Sequence, residues 1–208
     1  MPKVRRHGMD RQQLDTAAGM PALQGNRVGP VSWLTVNKFD RRGAALADGH
    51  YSRRTPGSPQ FMPPGETLVF VSADRDSVFG WWRPHANNPT GHRARNGLDG
   101  WTCSIFRRTS GRPASELIVE AEDALIDSGR TCGPDGLLTY VFDAKVASEN
   151  PGYCFKEAAW HTAGKDHQCC SKVPRRSADG RKTLLHKPFE VALLFAIART
   201  ARPQENAA

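Results

Sequence analysis

Runs of apolar residues divide the chain into a series of short strands. Residues 31–36 alternate in part and contain β-branched side chains, which is typical of a strand. Two apolar runs, 67–72 and 77–83, are separated by a short polar turn, and this arrangement predicts a β-hairpin. Residues 100–106 alternate large apolar with small side chains and predict a third central strand. The apolar run 137–142 predicts another.

Helical patterns occupy several segments between these strands. Residues 37–48 have a helical composition, and a short helix is predicted around 152–158. The clearest helix spans 114–127 and follows Pro113, a residue that is favoured where helices begin. Its pattern places five apolar residues on one face and four acidic residues opposite them. The apolar set is Leu117, Ile118, Ala121, Ala124 and Leu125, and the acidic set is Glu120, Glu122, Asp123 and Asp127.

The order of these elements predicts an α+β fold, with a central mixed sheet flanked by helices. An antiparallel hairpin is followed by a strand–helix–strand crossover, and residues 183–186 predict a last strand. Residues 1–27 are polar and basic without periodicity, so we expect a mobile arm before a single domain at 28–188. The segment 189–208 contains the apolar run 191–198, which predicts a terminal helix or strand packed on the domain.

Length and composition favour a soluble, cytoplasmic protein. The chain has 208 residues, of which 38% are hydrophobic and 24% are charged, enough for one substantial core. No apolar run reaches the roughly 18 to 20 residues that span a bilayer, and no apolar segment follows the basic N-terminus as in a secretory signal. We therefore expect no membrane partner.

The five cysteines are odd in number and irregularly spaced, which indicates a reducing compartment rather than a disulfide framework. One group of possible metal ligands consists of His161, His167, Cys169 and Cys170. It lacks the paired C-x-x-C spacing of zinc sites, so a polar loop is the favoured interpretation and zinc the alternative.

Charge is distributed unevenly along the chain. The whole chain carries +8, whereas residues 113–164 contain nine acidic and three basic residues. The positive charge is concentrated in 38–54, 83–112 and 165–187, and basic loops of this kind suit nucleic acid or the phosphates of a cofactor. General solubility is the alternative explanation. The arginines that we assign to nucleic-acid binding are Arg53, Arg54, Arg93, Arg95, Arg175 and Arg176.

The strand at 137–142, followed by the polar loop and the segment from Asn150 to Trp160, resembles the end of the cofactor cleft in the GNAT superfamily of acyltransferases. The resemblance covers roughly residues 30–188. It implies that the loop before the long helix, of pattern R/Q-x-x-G-x-G/A, holds the pyrophosphate of an acyl-coenzyme A, because helix starts offer N–H donors to phosphate. Arg108 and Gly111 match this pattern, whereas Pro113 occupies the second small position and removes a donor. The cofactor residues implied are Arg107, Arg108, Gly111, Arg112 and Asn150.

A second departure concerns the tyrosine that often protonates the thiolate in this superfamily. Phe155 stands at its position, and Tyr153 lies two residues earlier, where a helix points in a different direction. These departures resemble a smaller branch, the Mom-like phage DNA-modification proteins, which act on adenine in duplex DNA. The resemblance implies double-stranded DNA as partner and a phage- or prophage-encoded protein in a bacterial host. The matching residues, which the resemblance implies to be catalytic, are His50, Tyr51, Ser115, Asp143 and Tyr153. Of these, Asp143, Tyr153 and His50 are expected to surround the target atom.

Iron is implied as a possible cofactor if an imidazole, a phenolate and a carboxylate converge, and the candidates are His50, Tyr51 and Asp143. Each matching residue also has a structural interpretation. Asp143 and Asn150 could cap a turn or helix, Ser115 could be a first-turn hydroxyl, and the other three could pack.

The tryptophans Trp81, Trp82 and Trp101 could stack on a flipped base, although sheet core is the commoner role for such residues. Strand alternation predicts that one of Trp81 and Trp82 faces outward. The leading hypothesis is thus an enzyme that modifies an exocyclic amine of a nucleobase. The alternatives are an ordinary N-acetyltransferase acting on a small amine or peptide, and a catalytically inactive module that binds nucleic acid.

Overall fold

A computed structural model describes residues 33–85, 97–109, 111–146, 148–164, 176–177 and 180–201. Several predictions fall outside these ranges: the N-terminal arm, the contacts of Arg93, Arg95 and Arg175, and most of the group formed by His161 with His167, Cys169 and Cys170.

In the described part of the chain, seven strands form one mixed sheet in the spatial order β1-β2-β3-β4-β5-β7-β6. Neighbours in this sheet are antiparallel except for β4 and β5, which run parallel on either side of a helical crossover. The predicted α+β fold is therefore confirmed. The strands are β1 (Trp33–Val36), β2 (Glu66–Ser72), β3 (Ser77–Arg83), β4 (Trp101–Arg108), β5 (Leu137–Phe142), β6 (His161–Thr162) and β7 (Lys182–Lys187).

Within the described ranges, four α-helices accompany the sheet: α1 (Arg41–Asp48), α2 (Ala114–Asp127), α3 (Tyr153–Glu157) and α4 (Phe189–Thr200). The N-cap of α1 is Asp40, whose carboxylate accepts hydrogen bonds from the backbone N–H groups of Arg42 and Gly43. Pro113 is the N-cap of α2, as the pattern indicated. The terminal apolar run forms the helix α4, and the two-residue strand β6 was not predicted.

Both faces of the sheet are covered, which overturns the prediction that Trp81 or Trp82 faces outward. Trp81 lies in the core beneath α2 and donates a hydrogen bond from Nε1 to the carbonyl of Ala121 at 2.9 Å. Trp82 lies in a second core beside α1 and donates to the carbonyl of Pro64 at 2.9 Å. Trp101 is fully buried as well. These indoles stabilise the two cores and are not available for stacking on a base.

The prediction that the acidic face of α2 is exposed to solvent was wrong at two positions. Glu122 is fully buried and Asp123 is 9% exposed, although both belonged to the predicted solvent face. The C-terminal helix α4 explains part of the difference, because Arg199 of α4 pairs with Asp123. Glu122 pairs with Lys187, the last residue of β7. Partners distant in sequence thus bury carboxylates that the local pattern assigns to solvent.

A β-bulge interrupts β4 at Ser104. Phe79 and Gly80 pair with Phe106 and Ile105, but Trp81 pairs with Cys103, so Ser104 has no opposite residue. A bulge shifts the alternation of side chains by one position. Ile105 consequently lies in the α1-side core, whereas the predicted regular strand would have placed it beneath α2 with Cys103.

Candidate functional site

The two parallel strands separate immediately beyond this bulge. β4 and β5 pair only from Trp101 with Leu137 to Cys103 with Thr139. Residues 104–108 of β4 and 140–142 of β5 therefore leave a gap in the middle of the sheet, which we call the fork. Backbone N–H and C=O groups inside a protein require hydrogen-bond partners, so a gap between central strands is a place for inserted side chains or ligand.

Tyr51 reaches the fork from the turn that follows α1. Its phenol interacts with the backbone of Phe142 at the end of β5, and the charges of Cys103, Cys154 and Asp143 act on it. Tyr51 is 39% exposed, but its hydroxyl lies among enough protein for burial to raise its pKa. The phenol is therefore protonated at neutral pH and can donate a proton.

His50 stacks on Tyr51, with ring centroids 4.3 Å apart and planes tilted by 31°. Its Nδ1 lies 2.7 Å from the hydroxyl of Ser52. Burial, assisted by the charge of Arg107, lowers the pKa of His50 to about 4, so the imidazole is neutral at physiological pH. His50 and Tyr51 are neighbours in the sequence, and their rings also contact each other beside the fork.

Asp143 follows β5 and lies at the rim of the fork, where it is held by several hydrogen bonds. Its carboxylate accepts from the hydroxyl of Thr183 at 2.9 Å and from Arg176 at 2.8 Å. Burial favours the neutral acid, but these bonds outweigh it and lower the pKa of Asp143. The carboxylate is ionised and connects β5 with β7.

Tyr153 and Phe155 point in different directions from α3. Tyr153 is 55% exposed, and interaction with Glu157 raises its pKa. Phe155 is buried between Phe106 and Trp160. No described hydrogen bond joins Tyr153 to Asp143.

Asn150 does not cap α3 with its side chain. The N-cap of α3 is Gly152, and the side-chain oxygen of Asn150 accepts a hydrogen bond from the ammonium of Lys156.

The start of α2 bears the residues that the resemblance assigns to phosphate. Arg108 donates to the carbonyls of Gly111 and Arg112 at 3.1 and 2.8 Å and closes the loop. The N-cap residue Pro113 makes no side-chain hydrogen bond to the first turn of α2. Arg112 instead pairs with Glu116 at 2.9 Å and Glu120 at 2.5 Å.

Ser115 lies in a shallow depression of about 290 Å³ between α2 and α3. Arg112, Glu116, Val119, Glu120 and Glu157 complete its lining. Three carboxylates and one cation give this depression a negative balance. Cationic groups are favoured there, and phosphate would have to displace the glutamates from Arg112.

The arginines predicted to contact nucleic acid have different surroundings. Arg53 is nearly buried: its guanidinium donates to Asp48 at 2.8 Å, to the carbonyl of Gln60 at 2.8 Å and to the carbonyl of Ser58. Arg54 is exposed. Arg176 is half exposed and pairs with Asp143. Arg54 therefore has the freest access to an external phosphate among these three.

Sequence reasoning missed several residues near the fork. Cys103 and Cys154 lie near the phenol of Tyr51, and burial raises the pKa of Cys154, which favours a neutral thiol. The Ser104 hydroxyl is buried and has no hydrogen-bond partner in the described part of the chain. The only sequence signal for Ser104 was a polar residue in the middle of an apolar strand.

The candidate iron ligands already have other partners. Both carboxylate oxygens of Asp143 accept hydrogen bonds, and the His50 ring contacts Tyr51 at a tilt of 31°. Within the described ranges, no three His, Cys, Asp or Glu side chains form a group that could hold a metal ion.

Comparison with family models, with curated proteins and with solved structures found no match to this chain. In the described segments, every helix is too short or too polar to cross a membrane. The class that the structure defines is an α+β protein with a seven-stranded mixed sheet that opens between its two parallel strands.

Proposed function

We propose that this protein is a GNAT-like, Mom-like enzyme that modifies an exocyclic amine of a DNA base, such as adenine N6, in the cytoplasm of a bacterial host. The observation that carries the proposal is the fork, where the parallel pair β4–β5 stops after three residue pairs beside a bulge. Ligands in open sheets bind beyond the carboxyl ends of strands, and bulges are enriched beside active sites. The Ser104 hydroxyl has no hydrogen-bond partner among the described residues, and this supports a ligand at this point.

The donor proposed is an acyl-coenzyme A, and the chain fits it in part. The first turn of α2 has no side-chain cap, and Arg108 lies beside it. Arg112 fits poorly, because Glu116 and Glu120 neutralise it. Bound acyl-coenzyme A would supply an activated acyl carbon: an N–C bond forms at the base amine, the thioester C–S bond breaks, and the amine proton ends on the thiol.

Tyr51 is the residue proposed to move a proton in this reaction. Its protonated phenol lies at the fork, and Asp143 lies near enough to influence its charge. Phe155 has no hydroxyl, and Tyr153 is directed to solvent and Glu157. In this proposal Tyr51, which follows α1, is the general acid, because α3 has no tyrosine hydroxyl directed to the fork. The proposed reaction does not use iron.

Arg54 and Arg53 provide a matched pair for testing DNA contact. Arg54→Met should weaken duplex DNA binding and reduce the slope of log K against log salt by about 1, because one phosphate contact is lost. Arg53→Met should cost about 2 kcal/mol of unfolding free energy, because it strips partners from Asp48 and two carbonyls. Fluorescence anisotropy over a salt series and urea unfolding measure the two effects. Equal salt slopes for wild type and Arg54→Met would contradict the DNA contact.

The function itself is tested by nucleoside mass spectrometry of DNA from cells that express the protein. The expected result is a deoxyadenosine species heavier by the transferred group, absent from cells with an empty vector. The purified protein should also transfer label from acetyl-coenzyme A to duplex DNA. Unchanged nucleosides, together with no DNA affinity at low salt, would refute the proposal.

The acidic depression supports a second candidate, an N-acetyltransferase for a small cationic amine or peptide. Glu116, Glu120 and Glu157 would attract an ammonium group. In that case, thiol release from acetyl-coenzyme A should follow addition of polyamines or basic peptides and not of DNA. The same labelled-donor assay separates the two candidates, because the label appears in the amine or in the DNA.

A further inference from the structure

Arg107 lies on β4, but its side chain contacts α1 and not the start of α2. Its guanidinium donates a hydrogen bond of 2.8 Å to the carbonyl of Leu46, in the last turn of α1. The bulge at Ser104 changes which side chains of β4 face α1. The Arg107 side chain is therefore not part of the phosphate loop, to which the resemblance to acyltransferases assigned it.

The Arg107 guanidinium packs closely on the turn that carries His50 and Tyr51. Gly49 ends α1, and a Cβ atom at Gly49 would overlap the guanidinium. The absence of a side chain at Gly49 is what makes room for it. Since the charge of Arg107 also acts on His50, the arginine, the helix end and the turn form one packed unit.

This turn contacts both strands that border the fork. On the β4 side it is held by Arg107 through Leu46, and on the β5 side the phenol of Tyr51 meets the backbone of Phe142. We propose that Arg107 is a positioning residue, which anchors the His50–Tyr51 turn on β4 and so holds the Tyr51 hydroxyl at the fork. This inference rests on the proposed function, in which Tyr51 transfers a proton.

Kinetic constants distinguish positioning from phosphate binding. Arg107→Met and Gly49→Ala should each lower kcat about tenfold to a hundredfold, because a small displacement of a catalytic group has effects of this size, while KM for acetyl-coenzyme A stays unchanged. Arg107→Lys should recover part of the loss, since an ammonium can still donate to Leu46. Arg130→Met is the control with the same charge change, because Arg130 pairs with Glu66 at the opposite end of β4. A raised KM with unchanged kcat in Arg107→Met, or unchanged kinetics in both variants, would overturn the inference.

A second measurement does not depend on activity. The imidazole of His50 can be followed by NMR, with His50→Gln used for assignment among the seven histidines. In Arg107→Met the pKa of His50 should rise from about 4, and the Tyr51 ring signals should move in both Arg107→Met and Gly49→Ala. Wild-type signals for His50 and Tyr51 in both variants would refute the positioning role. If wild type neither modifies DNA nor binds acetyl-coenzyme A, the proposed function fails, and these signals still decide the role of Arg107.

Discussion

Replacement of Tyr51 by phenylalanine should lower kcat for transfer to DNA by about a hundredfold or more, the size of effect seen when a general acid is removed. The substitution removes only the hydroxyl that faces the backbone of Phe142, so the stack on His50 and the fold should be retained. Initial rates with labelled acetyl-coenzyme A, together with an unfolding curve for each variant, measure the two effects separately.

The competing assignment is Tyr153, which the resemblance to Mom-like proteins names as well. Tyr153→Phe removes a hydroxyl that is exposed and interacts with Glu157, and we expect a rate close to that of wild type. Loss of activity in Tyr153→Phe with full activity in Tyr51→Phe would reverse the assignment. Because burial raises the pKa of Tyr51 above the ordinary tyrosine value of 10.0, the wild-type rate should fall only at a pH above that ordinary value, where the phenol loses its proton.

The order of strands and helices was predictable because it depends on local periodicity. The apolar runs of the hairpin β2–β3 and the apolar face of helix α2 are patterns that a short window contains. The bulge at Ser104 was not predictable in this way, since a shift of one residue alters no composition. Its consequences are large: Ile105 changes core, and Arg107 moves from the expected phosphate loop to α1.

The candidate site shows the same division between local and distant causes. The adjacency of His50 and Tyr51 is visible in the sequence, but their position at the fork depends on contacts with β4 and β5. The long separation between Asp143 and its partner Thr183 concealed the bonds that occupy the carboxylate. Sequence therefore indicated which residues were chemically notable, and tertiary contacts decided what each one meets.

A buried ion pair between Glu122 and Lys187 was likewise hidden by its separation along the chain. The Lys187 ammonium lies 2.6 Å from the Glu122 carboxylate and donates to the carbonyl of Ala158 at 2.9 Å. The other Glu122 oxygen accepts from Nε1 of Trp160 at 2.6 Å. Both charged side chains are essentially inaccessible to solvent. The pair therefore joins α2, β7 and the end of α3.

Lys187→Met should reduce the free energy of unfolding by about 3 to 5 kcal/mol, because it leaves a buried carboxylate without its cation. Burial already raises the pKa of Glu122 against the opposing effect of Lys187, so loss of Lys187 should raise it further. A carboxyl whose folded pKa exceeds its unfolded pKa stabilises the fold most at low pH, and this stability is lost as pH rises above the unfolded value. The deficit of Lys187→Met should thus be larger at pH 8 than at pH 5 in urea unfolding.

Two further variants separate charge burial from simple loss of contacts. The double variant Glu122→Gln with Lys187→Met removes both charges and keeps an acceptor for Trp160, so it should recover most of the stability lost in Lys187→Met. Arg199→Met breaks the neighbouring pair with Asp123, whose arginine is about one third exposed, and should cost only about 1 kcal/mol. If the double variant loses as much unfolding free energy as Glu122→Gln and Lys187→Met lose together, the two charges do not interact. The large cost in Lys187→Met would then come from lost packing and not from the buried charge.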